Sequence, residues 1–219
     1  MIMLTGRHAC LVSASSLVLG LAACNPAAEP NAKKTEAPPA EAGMATMTPT
    51  PFSSVEHTMH QAMMAATGAT PEDAWARKMI PHHQGTLDMS QVVLRESQDS
   101  DIRRMAQKTI DMQTKDIADL RRWLEGRPAG SGAGNGGAVF RDAESRMDAA
   151  MMAVTGSDPA QLWAGKMVAH HQGALDMSAL VLRTAQDAGI RRMAQATLDM
   201  QTKDIAEMRA WLDAHGAAT

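Results

Sequence analysis

The stretch MIPHHQGTLDMSQVVL, residues 79–94, decides the fold, and the chain contains it twice. The second copy, MVAHHQGALDMSALVL, spans residues 167–182. The longer segments Met59–Leu124 and Met147–Leu212 match at a constant offset of 88 residues without a gap, and about two-thirds of the aligned positions are identical. Similarity at a fixed period indicates an internal repeat, so the chain contains two copies of one unit.

Each unit is predicted to form three helices, and no segment shows the alternation typical of a strand. The first helix is expected to begin near Ser53, with Glu56 three residues later completing a capping box. The second is expected to begin at Thr70 and Pro71, a polar cap followed by proline at the first helical position. The third follows Asp99. The equivalent starts in the second unit are near Asp142, Asp158 and Asp187.

The second helix of each unit separates an apolar face from a polar face. Apolar side chains and the His-His pair recur on one side at a spacing of three to four residues, whereas Arg77, Lys78 and Gln84 are expected to face outward. Two units supply four long helices. The economical arrangement is one all-α four-helix bundle with pseudo-twofold symmetry and the short helices at an end. Two independent small bundles are the alternative.

The N-terminus has the features of a bacterial lipoprotein signal. A basic residue, Arg7, precedes the apolar stretch LVSASSLVLGLA, residues 11–22, which is too short for a membrane span. Small residues directly before Cys24 predict lipidation of that cysteine, although an ordinary secretion signal is the alternative. We therefore expect a lipid-anchored, periplasm-facing protein of the cell envelope. Asn25 favours the outer membrane, because sorting to the inner membrane prefers aspartate there.

The predicted organisation along the chain has five parts, which differ in composition. A disordered tether, rich in Ala, Pro and Glu, follows the signal peptide, and a Gly-rich linker separates the two repeats. The parts are the signal peptide (1–24), the tether (25–51), helical repeat 1 (52–126), the linker (127–138) and helical repeat 2 (139–219).

Composition excludes several classes of site and partner. The formal net charge is -3 and there is no basic block, so nucleic acid is not an expected partner. The only cysteine besides Cys24 is Cys10, inside the predicted signal, which excludes thiolate metal sites from the mature chain. Methionine is abundant, with 19 residues, whereas aromatic residues make up only 3%. Any site for a soft metal must therefore use thioether sulfur.

Histidine and methionine side chains lie together on the predicted inner faces. Imidazole binds copper, zinc, iron and nickel, and thioether sulfur selects soft Cu(I), so this combination favours copper. Methionines ten residues apart on one helix lie about 15 Å apart, so more than one metal position per unit is expected. A methionine-packed core with hydrogen-bonded histidines is the alternative. The candidate ligands are Met79, His82, His83, Met89, Met105, Met112, Met167, His170, His171, Met177, Met193 and Met200.

The two repeated motifs resemble one known family. Together with the later stretches RRMAQKTIDMQTKDIADLRRWL (103–124) and RRMAQATLDMQTKDIAEMRAWL (191–212), they are similar to the ferritin-like family catalogued as domain of unknown function 305. Its characterised members include CopM-like periplasmic copper-binding proteins. The resemblance implies a ferritin-like helical bundle that binds Cu(I) and Cu(II) through His and Met. In the later stretch of the second repeat, Met208 matches a methionine of the family pattern. Leu120, at the equivalent position of the first repeat, departs from that pattern. By position, the resemblance implies that the copper ligands are Met79, His82, His83, Met89 and Met112 in the first repeat and Met167, His170, His171, Met177 and Met200 in the second.

The sequence therefore predicts a binding protein and not an enzyme: an extracytoplasmic lipoprotein that sequesters or carries copper and supports copper tolerance. Its expected partners are copper ions, the membrane through Cys24, and copper-handling envelope proteins. A structural envelope lipoprotein is one alternative. A ferritin-like metal-dependent oxidoreductase is disfavoured, because no Glu-x-x-His motif occurs and Glu is nearly absent from the inner faces.

Overall fold

The computed structural model describes residues 49–127 and 134–216, all of which belong to one compact unit, residues 46–219. The predicted signal peptide, Cys24 and residues 25–48 of the predicted tether lie outside the described residues. None of the helices in the described ranges combines the length and hydropathy that crossing a membrane requires.

Each repeat contributes one short and two long α-helices, and the described residues contain no strand. A short 3₁₀ helix, Gly136–Phe140, leads into the second repeat. The all-α prediction is confirmed. The helices are α1 (Ser53–Ala65), α2 (Pro71–Glu96), α3 (Ser100–Leu124), α4 (Arg141–Ala153), α5 (Pro159–Leu182) and α6 (Ala188–Ala214).

Polar caps begin the four long helices as the sequence predicted. The side chain of Thr70 accepts a hydrogen bond from the backbone N–H of Asp73 at 3.2 Å, and that of Asp99 accepts one from Ile102 at 2.8 Å. Asp158 and Asp187 cap α5 and α6 in the same way. These bonds satisfy backbone donors that the first helical turn leaves without partners.

The predicted capping box at the start of α1 is wrong. The N-cap residue is Phe52, which makes no side-chain cap, and Phe140 holds the equivalent place before α4. Both phenylalanines are fully buried. Burial of an aromatic ring therefore anchors the two short helices where a polar cap was expected, and it leaves Glu56 free to bind elsewhere.

The two repeats form one bundle with one hydrophobic core. Within each repeat the long helices pair, α2 with α3 and α5 with α6, and α2 packs against α5 across the repeats. Trp75 and Trp163 are fully buried, and the Trp75 indole N–H donates to Ser178 Oγ of the other repeat at 3.3 Å. The predicted four-helix bundle with pseudo-twofold symmetry is confirmed.

Two buried ion pairs join the repeats and obey the same symmetry. Lys78 pairs with Glu144 and Lys166 pairs with Glu56, each at 2.7 Å. The two ammonium groups also donate to backbone carbonyls, Lys78 to that of Met63 at 2.9 Å and Lys166 to that of the equivalent Met151 at 3.0 Å. The prediction that Lys78 faces outward is wrong, since the side chain is 5% exposed. Its acceptors come from helices that approach only in the folded bundle.

We expect the association of the two repeats to depend on both Lys78 and Glu144. Glu144→Ala leaves the Lys78 ammonium buried beside a single carbonyl and is expected to lower the free energy of unfolding by about 3–5 kcal/mol. The double variant Lys78→Met/Glu144→Leu is expected to recover most of that loss, because no charge stays buried. Urea unfolding followed by circular dichroism measures both values.

The matched control is Asp101→Asn, which breaks the solvent-exposed Asp101–Arg104 pair of 3.2 Å. It is expected to change the free energy of unfolding by less than about 1 kcal/mol. Equal losses for Glu144→Ala and Asp101→Asn would contradict a role for the buried pair.

Candidate metal centre

Four histidine rings meet at the centre of the bundle, where α2 crosses α5. The ring centroids of His82 and His170 lie 3.6 Å apart with an interplanar angle of 33°. His83 follows on one side, 5.7 Å from His82, and His171 on the other, 5.9 Å from His170. All four side chains are at most 1% exposed. We call these four residues the imidazole cluster.

A repeated glycine brings the short helices close to the imidazole cluster. A Cβ atom on Gly85 would lie 2.4 Å from the sulfur of Met59, and one on Gly173 would lie 2.5 Å from that of Met147. The missing side chains therefore let α1 pack onto α2 and α4 onto α5. As a result, Met59 Sδ lies 3.1 Å from Nε2 of His170.

The two inner histidines of the cluster, His82 and His170, make different hydrogen bonds. His82 Nε2 lies 3.2 Å from the backbone oxygen of His170, so this nitrogen donates its hydrogen and Nδ1 carries the free electron pair. His170 Nδ1 contacts the hydroxyl of Thr86 at 3.3 Å. Because Ala174 stands at the equivalent position in the second repeat, His82 Nδ1 has no such partner.

The outer histidines keep unpartnered ring nitrogens inside the core. His83 Nδ1 and both ring nitrogens of His171 make no hydrogen bond. Buried polar atoms are normally bonded, so unpartnered ones call for an explanation such as a bound ion or water. Free electron pairs on buried nitrogens are also what a metal ion requires of its ligands.

Burial keeps the imidazole cluster uncharged. Burial, followed by repulsion from His171, lowers the pKa of His83 to about 3. Burial, followed by repulsion from Lys108, lowers the pKa of His171 to about 3. Burial and the neighbouring rings hold the pKa values of His82 and His170 well below 6.5. All four rings are therefore neutral near pH 7 and do not have to lose a proton before binding a metal.

Carboxylates flank the two ends of the imidazole cluster. Asp204 Oδ2 lies 4.0 Å from His171 Nε2, and its other oxygen binds Lys108 at 2.8 Å. At the other end, Asp116 and His83 line the same cleft. Burial, followed by repulsion from Asp119, raises the pKa of Asp116 to about 6. Negative charge is therefore available close to a core that neutral ligands would leave positive after binding a cation.

The methionines that the sequence singled out lie in or beside the core, but to different degrees. Met79, Met89, Met167 and Met177 are fully buried and Met105 is 3% exposed. Met112, Met193 and Met200 are half-buried, and Met193 lines the cleft that reaches His83. Their role as ligands stays a prediction.

Sequence reasoning missed two neighbours of the imidazole cluster. Met59 supplies a sulfur in contact with His170, and the repetition of Met59 opposite Gly85 as Met147 opposite Gly173 was the available signal. Gln113 approaches His83, and its buried amide has no other partner.

The described residues contain no ready-made metal site of the kind that uses only His, Cys, Asp and Glu, since no three of these groups converge on one point. A metal held by the imidazole cluster would need thioether sulfur in addition, or small rotations of the rings. The residues fit such a mixed ligand set, because neutral rings and the Met59 sulfur already lie in contact.

Two cavities open near the bundle surface. A cleft of about 500 Å³ between α3 and α6 reaches His83 at its base. A larger groove of about 920 Å³ lies along the second repeat and is lined by Met147 and Gly173 among others, but no member of the imidazole cluster lines it. Of these two cavities, the smaller is therefore the one that a member of the imidazole cluster lines.

The fold and the centre together define a class of protein: a duplicated helical bundle with a buried histidine and methionine centre. The chain belongs to the family described as "Domain of unknown function (DUF305)", which matches residues 22–124 and 160–219. No curated protein matches the chain.

Solved structures of this family share the fold. A DUF305 protein from Streptomyces coelicolor, described as secreted, has 20% identity and a TM-score of 0.57, covering 69% of this chain and 96% of its own. A DUF305 fragment from Deinococcus radiodurans has 22% identity and a TM-score of 0.51, covering 67% and 99%. CopM in its Cu(I)-bound form has 20% identity and a TM-score of 0.50, covering 66% and 96%.

The lowered histidine pKa values predict loss of stability in acid. An unfolded histidine has a pKa of about 6.5, so between pH 6.5 and 3 the unfolded chain binds protons that folded His83 and His171 do not. Stability is full above pH 6.5 and falls by about 1.4 kcal/mol per pH unit for each histidine as pH drops. The raised pKa of Asp116 has the opposite effect on stability, but Asp116 is a single group.

Urea unfolding of the metal-free chain between pH 7 and 5 measures this slope. The variant His83→Gln is expected to reduce it by about 1.4 kcal/mol per pH unit, because one titrating group is lost. His215→Gln, which changes a histidine outside the core, serves as the control and is expected to keep the slope. A slope identical in all three chains would contradict the neutral cluster.

Proposed function

We propose that this chain binds copper ions in its core and acts as a sequestering or carrier protein rather than an enzyme. The observation that supports this most is the imidazole cluster. It holds four buried ring nitrogens without a protein partner: Nδ1 of His82, Nδ1 of His83, and both nitrogens of His171. Each neutral ring has one nitrogen with a free electron pair, and such a pair in a dry core has little use in packing and direct use in metal binding.

The chemistry of the donors favours copper over other metals. Neutral imidazole binds several first-row metals, but a thioether is a soft ligand that selects Cu(I). Met59 Sδ already lies 3.1 Å from His170 Nε2, and Met79 and Met89, on the same helix as His82 and His83, are fully buried. Histidine also accommodates Cu(II), so the same centre serves both oxidation states.

Binding would also relieve a cost of the metal-free core. Each unpartnered polar atom that is buried destabilises the folded state by about 1–3 kcal/mol. Cations that accept an electron pair from His83 at one end of the cluster and from His171 at the other would remove part of this cost. Asp116 and Asp204 lie near the two ends of the cluster and would balance the added charge.

Two further parts of the proposal rest on the sequence and on related proteins. We propose that Cys24 is lipidated and anchors the chain, periplasm-facing, in the cell envelope, where copper-handling envelope proteins are its partners and copper tolerance its benefit. CopM, which shares the fold, has been solved with Cu(I) bound, and the Streptomyces coelicolor relative is described as secreted. At 20% identity these relatives make copper the first metal to test.

A structural lipoprotein is the second candidate, and one observation favours it. Both nitrogens of His170 already have protein neighbours, Thr86 Oγ1 at 3.3 Å and Met59 Sδ at 3.1 Å. A core histidine with two such contacts is adequately placed for packing alone. The two candidates differ in whether the outer histidines bind a metal.

We expect the chain to bind Cu(I) with an affinity that depends on the imidazole cluster. Competition for Cu(I) with a chromophoric chelator, under anaerobic conditions, measures the dissociation constant. His83→Gln and His171→Gln are each expected to weaken binding by about 100-fold or more, since losing a ligand costs more than losing its supporting partner. Met59→Leu removes the sulfur observed beside His170, and Met112→Leu removes a sulfur predicted as a ligand from the sequence. The two dissociation constants are then compared.

The matched control is His215→Gln, because His215 is an exposed histidine that stacks on Trp211 near the C-terminal end of α6. This variant is expected to bind Cu(I) as the unmodified chain does. If the unmodified chain binds no Cu(I), the copper proposal fails and the structural candidate stands. If every cluster variant keeps full affinity, the assignment of the site to the imidazole cluster fails.

The lipid anchor has a separate test. Cys24→Ser is expected to move the chain from the membrane fraction to the soluble fraction of the cell envelope, because the acceptor thiol is lost. Cys10→Ser, which changes the only other cysteine of the chain, is expected to leave the distribution unchanged. Fractionation followed by immunoblotting measures the distribution, and an unchanged pattern for Cys24→Ser would reject the anchor.

A further inference from the structure

The two ends of the imidazole cluster meet the surface differently. At the His171 end, the Lys108 ammonium lies between two carboxylates, 2.8 Å from Asp204 and 3.1 Å from Glu207. At the other end, a cleft of about 500 Å³ reaches His83. We call the first the His171 mouth and the second the His83 mouth.

One difference between the repeats bears directly on this asymmetry. Asp116 and Asp204 occupy equivalent positions, and so do Asp119 and Glu207, but the equivalent of Lys108 is Ala196. Ala196 lines the His83 mouth and is exposed. An alanine cannot cross from one helix to the carboxylates of the other, so the cleft stays open where a lysine would fill it.

We propose that copper enters and leaves the core through the His83 mouth, where Asp116 receives the incoming cation and passes it to His83, while Lys108 closes the His171 mouth. This inference rests on the proposed copper binding. It assigns a capture subsite and a route, neither of which follows from the imidazole cluster itself.

The donor groups at the His83 mouth suit a cation in transit. Asp116 Oδ2 is buried and has no hydrogen-bond partner, and His83 Nδ1 is in the same state. Both residues line the cleft, and so does Met193, which adds a thioether. A carboxylate attracts the cation by charge, an imidazole binds either oxidation state, and a sulfur favours Cu(I). The cleft thus offers three donor types, two on the half-buried Asp116 and Met193 and one on the buried His83.

Basic residues also line this cleft, and their placement matters. Arg122, Lys115 and Arg192 are exposed, and Arg122 binds Asp119 at 2.6 Å. Asp119 is therefore held in an ion pair, whereas Asp116 Oδ2 has no hydrogen-bond partner. At the His171 mouth the reverse holds, because the Lys108 ammonium binds Asp204 directly. A cation arriving there must first displace an ammonium that two carboxylates hold.

The test transfers the lysine from one mouth to the other in the full chain. Cu(I) is delivered from a chromophoric chelator under anaerobic conditions, and stopped-flow absorbance gives the loading rate and the final amount bound. Ala196→Lys is expected to slow loading by about tenfold or more, since it adds a cation and fills the cleft. Lys108→Ala opens a second mouth and is expected to speed loading by up to about twofold.

The double variant Lys108→Ala/Ala196→Lys reverses which mouth is open. Its loading rate is expected to return close to that of the unmodified chain. Asp116→Asn is expected to slow loading in the unmodified chain but not in the double variant. Asp111→Asn is the charge-matched control, because Asp111 is exposed on the outer face of α3, and it is expected to have no effect in either background.

The outcomes separate the route from copper binding itself. If the unmodified chain takes up no Cu(I), the proposed function fails and the route falls with it. If it takes up Cu(I) but Ala196→Lys loads at an unchanged rate, or Asp116→Asn behaves like Asp111→Asn, the route is overturned while copper binding stands. Unchanged final uptake in Ala196→Lys, together with a slower rate, supports the route, because only access has been altered.

Discussion

The contact between His82 and His170 constrains the rest of this structure. Two imidazoles at a centroid distance of 3.6 Å require that α2 and α5 approach closely and that neither ring is charged. Close approach brings the repeats into one core, and burial in that core lowers the pKa of both rings and keeps them neutral. The buried Lys78–Glu144 and Lys166–Glu56 pairs then hold the short helices of one repeat against the long helices of the other, which seals the centre.

Duplication gives this bundle its symmetry, and a few substitutions give each half its own chemistry. Thr86 bonds His170, while Ala174 leaves the equivalent His82 nitrogen free. Lys108 fills one mouth, while Ala196 leaves the other open. The scaffold positions are repeated because both halves pack in the same way. These two differences lie beside the imidazole cluster or at its ends, where a substitution changes access or hydrogen bonding.

Much of the fold follows from the sequence, because its determinants are local. The polar caps at Thr70, Asp99, Asp158 and Asp187, the helical periodicity and the repeat predict four long helices with both histidine pairs turned inward. Burial of the histidines follows from the same periodicity. These signals concern residues within one helix or one turn, so no knowledge of the tertiary structure is needed to use them.

The features that escaped prediction depend on contacts between distant segments. Lys78 is buried because Glu144 and a carbonyl from α1 reach it, and Glu56 serves Lys166 rather than a helix cap. Met59 reaches His170 only because Gly85 lacks a side chain. Some of these contacts join the two repeats, and others depend on how closely two helices pack. The periodicity of one helix encodes neither of these features.

A centre that binds a metal reversibly cannot also be a fully bonded core. If every ring nitrogen of the imidazole cluster had a protein partner, a cation would have to break those bonds, and binding would lose the free energy that they contribute. The unpartnered nitrogens of His83 and His171 destabilise the metal-free fold, and the surrounding bundle, with its buried tryptophans and paired lysines, offsets that cost. Stability that is spread over the whole bundle thus permits incomplete bonding at its centre. For this reason the residues that bind a metal least well, such as Trp75 and Lys78, are as necessary to the proposed site as its ligands.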